Sequence, residues 1–264
     1  MKILYIAELV GKAGVYCFRK SIDELKRTTG AELVIACADG ATNGNGLGRS
    51  NAGFLRKLGA DVLTLGECCF FKRDLTENLS KLPYVLRPEN ISAQAPGCGA
   101  RIFKAGDKKI AVAVLLGQSY FNRMHGDNPW ARLPLLLERF AAETPFIIID
   151  FHSATSAEKR TLFEIANGNA SAVIGSHTRV QSADEQILDG GTAVITDAGR
   201  TGSINSVGGS EIKSRIGEYL SGIPEWAHEA WDMLEVQGVL LDIADNGRAL
   251  AIERIRLPVA NLQS

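Results

Sequence analysis

Short apolar runs alternate with amphipathic stretches through the first part of the chain. Three runs have the length and composition of buried strands, and the two stretches between them place apolar residues at helical spacing. Strands are predicted at Lys2 to Ile6, Leu33 to Ala36 and Val62 to Leu65, and helices at Val15 to Thr28 and Asn51 to Leu58. This β-α-β-α-β order predicts parallel strands joined by crossover helices.

The pattern changes after residue 100, where turn signals separate neighbouring apolar runs. Gly106-Asp107 and Asp245-Asn246-Gly247 each lie between two predicted strands and favour hairpins. Asn128-Pro129 suits the start of a helix that runs to about Ala142, and Thr155-x-x-Glu158 has the form of a capping box. Further strands are predicted at Phe146 to Asp150, Ala172 to Ile174, Ala193 to Ile195, Gly238 to Asp242 and Ala249 to Arg256. These elements predict an α/β fold with mixed sheets and outer helices, in a single domain over residues 1–264.

The composition is that of an ordinary globular protein. Of the 264 residues, 45% are hydrophobic and 22% are charged, and the formal net charge is −1. Without a basic field, a nucleic-acid duplex is not an expected partner, although a small phosphorylated substrate is compatible. The first residues lack the basic and apolar regions of a signal peptide, and no apolar run is long enough for a membrane span. The five cysteines have no CxxC spacing, which favours reduced thiols and a cytoplasmic location.

Polar side chains collect where the predicted strands end. In open α/β sheets, functional groups gather just past the carboxyl ends of strands. Five such ends present Glu8, Asp39, Glu67, His152 and His177. If these carboxylates and imidazoles converge, they suit a divalent ion such as manganese, iron or zinc. The alternative stays open, because a single carboxylate after a strand is often a helix cap and a lone histidine is often structural.

Several of these segments resemble one known family. The resemblance is carried by Ile149-Asp-Phe-His152, Gly175-Ser-His177-Thr, Gly191-Thr-Ala-Val-Ile-Thr-Asp197, Arg87-Pro88 and Asp127-Asn128-Pro129. They are similar, in the same order and nearly end to end, to the calcineurin-like metallophosphoesterases, in particular the bacterial YmdB-like branch of 2',3'-cyclic-nucleotide phosphodiesterases. The resemblance implies two packed mixed β-sheets flanked by helices, a dinuclear metal site, a small phosphoester or cyclic nucleotide as substrate, and self-association into a homo-oligomer.

The resemblance implies that one of the family's two metal positions is altered here. The family holds that metal with a first-strand aspartate, a bridging glutamate, the asparagine after it and the last histidine of Gly-x-His-x-His. These ligands fall on Glu8, Asp39, Gly40 and Arg179. Gly40 has no side chain, and Arg179 is a permanent cation without a lone pair for a metal. This position is therefore predicted to hold no metal, with the Arg179 guanidinium standing in for its charge and pairing with Glu8.

The other metal position keeps residues that can ligate. The family holds that metal with the bridging carboxylate, an asparagine and two histidines, which fall on Asp39, Glu67, His152 and His177. The resemblance thus implies one divalent ion rather than two, or none. Cys68 replaces the family histidine that is expected to act as general acid. A thiol can donate a proton in principle, but a small buried structural residue is the competing interpretation.

Two hypotheses on function follow. The first is a metal-dependent phosphoesterase of the phosphodiesterase type with a reduced, mononuclear site. In this hypothesis Arg179 binds phosphoryl oxygens or neutralises Glu8, and Cys68 is the candidate proton donor. The second is a catalytically inactive metallophosphoesterase homologue that acts as a binding or scaffolding protein. The four ligand-capable residues favour the first hypothesis, and the Arg-for-His exchange at position 179 favours the second.

Overall fold

Two β-sheets pack face to face, and helices cover the outer face of each sheet. The computed structural model describes residues 1–225 and 228–261. Because side chains alternate between the two faces of a strand, a strand buried on both faces supplies two cores. In the first strand, Ile3 and Tyr5 face the other sheet, whereas Leu4 and Ile6 face the helices. The described residues thus form the αββα sandwich of two packed mixed sheets that the family resemblance implies.

The bounds of the described elements are as follows. The helices are α1 (Gly11–Thr29), α2 (Arg49–Lys57), α3 (Arg73–Thr76), α4 (Pro129–Ala141), α5 (Ser156–Ala166) and α6 (Ile212–Ser221), with a 3₁₀ turn at Leu79–Lys81. The strands of the first sheet are β1 (Lys2–Ile6), β2 (Glu8–Leu9), β3 (Leu33–Cys37), β4 (Val62–Thr64), β5 (Val85–Leu86), β12 (Arg200–Ser203), β13 (Leu234–Ile243) and β14 (Ala249–Pro258). Those of the second sheet are β6 (Ala100–Ala105), β7 (Lys108–Leu116), β8 (Ile147–His152), β9 (Ala172–Ser176), β10 (Gln186–Ile187) and β11 (Ala193–Ile195).

Parallel strands form the centre of each sheet. In the first sheet β1, β3, β4 and β5 run parallel, and β13 and β14 continue it as an antiparallel pair beside β1. In the second sheet β7, β8, β9 and β11 run parallel, with β6 and β10 antiparallel at the two edges. The parallel strands of each sheet therefore end together, which gathers the residues that follow β3, β4, β8 and β9.

The predicted elements are present, with small differences at their ends. Helix α1 begins at Gly11 rather than Val15, since the added first turn is too short of apolar residues to show helical spacing. Both predicted hairpins form, at β6–β7 and β13–β14. Strands β2, β5, β10 and β12 and helices α3 and α6 were not predicted. In the described residues no helix is long and apolar enough to cross a membrane, and all five cysteines are free thiols.

Candidate metal centre

Three potential ligand side chains meet where the two sheets end. Glu67 follows β4 of the first sheet, His152 is the last residue of β8 and His177 follows β9. The His152 Nε2 atom contacts Glu67 Oε2. His177 Nδ1 lies 3.2 Å from His152 Nε2 and 3.3 Å from Glu67 Oε1. One atom from each residue thus faces a common point, and this donor set of two imidazoles and a carboxylate fits a divalent transition metal.

Asp39 lies beside this group and is fixed by backbone amides. Its Oδ1 accepts a hydrogen bond from the Gly66 N–H at 2.7 Å, and its Oδ2 accepts one from the Cys68 N–H at 3.2 Å. Oδ2 also lies 3.8 Å from His152 Nε2. A second cluster of ligand-capable atoms joins Asp39, Glu67 and the Cys68 sulfur. Glu67 belongs to both clusters, so Asp39 lies next to the group of Glu67, His152 and His177.

Without a metal, the electrostatics of the site raise the pKa values of Asp39 and His152. Burial raises the pKa of Asp39 to about 7, and the neighbouring Glu67 carboxylate adds to the shift. Burial alone would lower the pKa of His152, but Glu67 outweighs it and raises that pKa to about 9. Burial would raise the pKa of Glu67, yet the His152 charge holds it well below its usual range. Without a metal, the two acidic residues thus favour a proton on His152, and a divalent ion that binds there would have to displace it.

A buried network of hydroxyl groups sets the direction of the His152 ring. Asp150 accepts hydrogen bonds from the hydroxyls of Tyr5 (2.7 Å), Thr64 and Ser176 (2.8 Å). Since the Ser176 proton points to Asp150, the Ser176 oxygen is left to accept from His152 Nδ1–H, at 2.9 Å. The Nε2 atom of His152 is thereby directed at Glu67 and His177. A partner that holds one ring nitrogen in this way fixes which nitrogen can ligate a metal.

Gly66 allows the ring of His152 to approach the strand end. A Cβ atom at position 66 would lie 2.3 Å from His152 Cδ2, a distance that no pair of unbonded carbons tolerates. Gly66 also supplies the amide that binds Asp39. The Leu65-Gly66-Glu67 segment after β4 therefore places two acidic residues and one imidazole together, because its central residue occupies almost no volume.

Glu8 and Arg179 form an ion pair on the other side of Asp39. Arg179 Nη2 and Nε donate to Glu8 Oε1 at 2.6 and 3.0 Å. The guanidinium also donates to the backbone carbonyls of Gly44 and Gly208, at 2.8 and 3.1 Å. A Cβ atom at Gly40 would lie 2.7 Å from Glu8 Oε1 and 3.0 Å from Arg179 Nη2. The missing side chain at position 40 is thus the space in which the ion pair sits.

The loop that carries His177 and Arg179 has unusual backbone angles. His177 has φ 103° and Arg179 has φ 61°, both in the region that favours glycine. Asp197, a buried residue after β11, accepts a hydrogen bond from the Thr178 N–H at 2.9 Å. The same carboxylate oxygen accepts from the buried ammonium of Lys159, at 3.0 Å. This ion pair holds the loop where its strained residues face the centre.

The sequence-predicted site residues therefore divide into two sets. Asp39, Glu67, His152 and His177 lie together, and the Cys68 sulfur lies with them. Glu8 is bound to Arg179 instead and belongs to neither ligand cluster of the described residues. The four network residues, Tyr5, Thr64, Asp150 and Ser176, were missed. Asp150 gave one signal: it is an acidic residue in the middle of an apolar strand, two positions before His152.

Comparison with known proteins identifies the family. The sequence model that describes YmdB-like proteins matches residues 4–255. The chain belongs to the YmdB-like family. It is 34% identical to a 2',3'-cyclic-nucleotide 2'-phosphodiesterase of Bacillus subtilis strain 168, over 97% of this chain and 96% of that protein.

Two solved structures show that the YmdB-like chain has the calcineurin-like metallophosphoesterase fold. A novel phosphatase from Mycoplasma pneumoniae superposes with a TM-score of 0.90 at 27% identity, covering 100% of this chain and 95% of that one. The NAD nucleotidase of Haemophilus influenzae superposes with a TM-score of 0.60 at 14% identity, covering 98% of this chain and 56% of that chain. At that identity, the second likeness shows the shared fold alone.

Proposed function

We propose that the chain is a metal-dependent phosphodiesterase whose centre holds one divalent ion between Asp39, Glu67, His152 and His177. The observation that carries this proposal is the convergence of Glu67, His152 and His177 donor atoms on one point. A divalent ion bound there would supply Lewis acidity toward a phosphoryl oxygen and would lower the pKa of a water. The activity of the Bacillus subtilis relative supports a phosphodiester as the substrate.

Arg179 acts in this proposal as a replacement for the second metal's charge. A guanidinium has five N–H donors. Glu8 and the carbonyls of Gly44 and Gly208 engage four of them. One N–H is left for a phosphoryl oxygen, so the main role of Arg179 is to neutralise Glu8.

The charge balance predicts a slow enzyme. Glu8, Asp39 and Glu67 carry −3 when ionised, and Arg179 with one divalent ion carries +3. The sum is about zero, whereas two divalent ions against two carboxylates leave a positive site that attracts phosphate. A second cation that stabilises the leaving oxygen is also absent from this scheme. We therefore expect weak capture of the phosphoester and low turnover.

The Cys68 thiol is a poor candidate for the general acid. Burial and the neighbouring Asp39 carboxylate raise the pKa of this thiol far above neutral. An acid whose pKa lies far above the working pH gives up its proton reluctantly in the transition state. The backbone N–H of Cys68, which binds Asp39 Oδ2, is its more direct contribution to the site. Water is left as the proton donor to the leaving group.

The Glu8–Arg179 ion pair favours a second candidate function, a non-catalytic binding or scaffolding protein. The pair is largely buried, and both its members stand at positions that the resemblance assigns to ligands of one metal. A chain that has lost half of a dinuclear site can keep the fold and one structural ion without turnover.

Metal content and hydrolysis together separate the two functions. The proposal expects about one divalent ion per chain by elemental analysis and hydrolysis of an activated phosphodiester in added manganese. His177→Ala should lose most of the bound metal and lower the rate of hydrolysis roughly 100-fold or more, because one of four ligands is removed. His228→Ala removes an exposed histidine and serves as the matched control. Negligible metal together with no hydrolysis by the parent chain would reject the enzyme.

A further inference from the structure

Helix α6 presents an uncovered apolar face to solvent. None of its residues is buried against the described chain. Large apolar side chains recur along it at helical spacing, and two of them, Tyr219 and Leu220, are each 84% exposed. The same face carries Ile212, Ile216 and, directly after the helix, Ile223. An exposed apolar face of this kind marks a surface that binds another molecule.

The chain fixes the two ends of the α6 segment side by side. Ser210 and Glu229 form an isolated β-bridge. Beside it, the Glu211 N–H donates to the His228 carbonyl at 2.9 Å. The helix begins directly after the first of these two anchored ends, so its position on the molecule is set while its apolar face stays free.

Helix α6 is too weak to persist as an isolated helix. It has ten residues, whereas isolated helices shorter than about 12–15 residues are marginal in water. Gly217 lies in its interior and favours the unfolded chain. Glu211 at its N-cap makes no capping hydrogen bond through its side chain. Helices of this kind are stabilised by packing of their apolar face, and the described residues supply no such packing.

The charges on α6 oppose the helix dipole. Between residues 212 and 225 the charged residues are Lys213, Arg215, Glu218 and Glu225. Helix α6 has no acidic residue in its first turn and no basic residue in its last turn, although the dipole favours both. The segment thus begins basic and ends acidic. A partner that reverses this order along the helix would compensate both ends.

We propose that α6 is a dimer interface, on which the α6 of a second copy packs in the antiparallel direction. A two-fold axis brings the same surface of both copies together. It places the basic beginning of each helix beside the acidic end of the other, so opposite charges attract across the interface. The two apolar faces then cover each other. A parallel pair would bring like charges together instead.

The same charge pattern argues against a membrane as the occupant of this face. Helices that lie on anionic membranes carry many lysine and arginine residues on the polar face. In the α6 segment two acidic residues cancel two basic residues. A second copy is therefore the partner whose charges match.

Sedimentation equilibrium of the full chain tests the dimer directly. Five apolar side chains per copy give an interface below the standard size of about 1,600 Å², so we expect a dissociation constant on the order of micromolar. Leu220→Asp puts a charge into the apolar face and should raise this constant roughly 100-fold. Leu135→Asp changes another exposed leucine of a helix, on α4 and 59% exposed, and should leave the constant unchanged.

Two results of this experiment would overturn the proposal. One is a parent chain that stays monomeric well above micromolar concentration. The other is a dimer that Leu220→Asp leaves intact, or that Leu135→Asp weakens equally, because its interface would then lie elsewhere.

An exchange of charges tests the antiparallel direction. Lys213→Glu with Arg215→Glu makes the segment acidic throughout, and Glu218→Lys with Glu225→Lys makes it basic throughout. Each double variant alone should be monomeric where the parent chain is dimeric, because like charges then face each other. An equimolar mixture of the two should associate again, which variants that merely unfold α6 would not do. A mixture that stays monomeric contradicts the proposed interface.

Flotation with vesicles that contain phosphatidylserine tests the other occupant. The proposal expects the parent chain to stay in the unbound fraction. Vesicle binding that Leu220→Asp abolishes would assign the face to lipid and overturn the assignment to a second copy. None of these measurements requires turnover, so their outcome is independent of the phosphodiesterase proposed above.

Discussion

At the scale of single residues, the hydroxyl of Ser176 has a larger role than its chemistry suggests. It donates a hydrogen bond to Asp150 and accepts one from the His152 Nδ1–H, so Asp150 fixes the direction of the His152 ring through it. Ser176→Ala leaves the His152 Nδ1–H without a partner, so the ring is free to turn or to change tautomer. We predict a 10- to 100-fold loss of metal affinity, as expected when the outer partner of a ligating histidine is removed. Calorimetric titration with manganese measures it.

Ser171→Ala is the matched control for that prediction. Ser171 is also fully buried and lies directly before β9. Its hydroxyl accepts a hydrogen bond from the Ile147 N–H and donates one to the Pro145 carbonyl. Its loss should reduce stability without changing metal affinity. Nitrogen-15 shifts of the His152 ring give a second readout, because they report which nitrogen carries the proton in the metal-free chain. An unchanged metal affinity and an unchanged tautomer in Ser176→Ala would contradict the role of the Ser176 hydroxyl in orienting His152.

Gly40 and Arg179 should behave as a coupled pair. An asparagine at position 40 meets Glu8 and Arg179 at once, so Gly40→Asn alone should destabilise the chain by ~1–3 kcal/mol through overpacking. In an Arg179→His background the contact with Arg179 is gone and Glu8 loses the partner that fixes it in the way of the new side chain, so we expect a coupling of ~0.5–3 kcal/mol. The double variant should also raise the metal content from about one ion toward two. Urea unfolding and elemental analysis measure the two effects.

Gly53→Asn controls for the general effect of replacing a helix or loop glycine. A Cβ atom at Gly53 meets nothing within 4 Å, so this change tests propensity alone. Additive effects of the two substitutions at positions 40 and 179 would mean that the ion pair does not occupy the space of the missing side chain.

How far single residues can be predicted depends on whether their partners are local. The strand-end residues Glu67, His152 and His177 follow from periodicity and from the resemblance. Ser176 and Thr64 were not predictable, because their roles depend on the carboxylate of Asp150, which Ser176 reaches from the neighbouring strand and Thr64 from the other sheet. For Glu8 the sequence left two possible partners, the metal and Arg179. A difference of one methylene in side-chain length decides which of them the carboxylate reaches.

At the scale of elements, the sequence signals for helix starts were reliable where the capping side chain and the N–H that it binds lie within one turn. Asn128 caps α4, its side chain accepting from the Ala131 N–H, and Pro129 begins the helix as predicted. Thr155 likewise accepts from the Glu158 N–H. The second half of the capping box is not formed, because Glu158 instead accepts from Gln118, Ser119 and Ser153. Strand β12 escaped prediction since its buried sequence, Arg-Thr-Gly-Ser, is polar.

Helix α5 anchors the loop after β9 through the buried pair of Lys159 and Asp197. Lys159→Met keeps the volume of the side chain but leaves the Asp197 carboxylate buried without a countercharge. We predict a loss of ~3–5 kcal/mol in the free energy of unfolding, measured in urea. Adding Asp197→Asn should recover part of it, because the amide oxygen can still accept from the Thr178 N–H.

Lys108→Met provides the comparison for a surface pair. Lys108 binds Asp245, which is largely exposed, so its loss should change stability by less than ~1 kcal/mol. Equal effects of the two substitutions would mean that the buried pair contributes no more than a solvated one. The loop that carries His177 would then need another anchor.

At the scale of the whole molecule, the candidate centre depends on both sheets. The apolar cluster between them draws on β1, β3, β7, β8 and β9, and the ligands come from strand ends of both. We therefore propose that the chain works as a single domain. The parallel direction of the first strands could be predicted from the β-α-β pattern, but their order could not. The face-to-face approach of the sheets came from the family resemblance, because periodicity does not reveal which buried faces meet.

The metal-free protein should become less stable as pH rises from about 6.5 to 9. The pKa values of Asp39 and His152 are both raised in the folded chain, to about 7 and about 9. A raised pKa means that protonation favours folding, so the Asp39 contribution is lost as pH rises through 7 and that of His152 as it rises through 9. Glu67, whose pKa is lowered, changes the stability only at acid pH.

A divalent ion binds the deprotonated ligands, so its stabilising effect should grow over the same interval. Melting temperatures with chelator and with manganese, at pH 6.5 and 8.5, measure this difference. It should widen with pH in the parent chain and much less in Asp39→Asn, and a constant or narrowing difference in the parent chain would mean that no ion replaces the trapped proton.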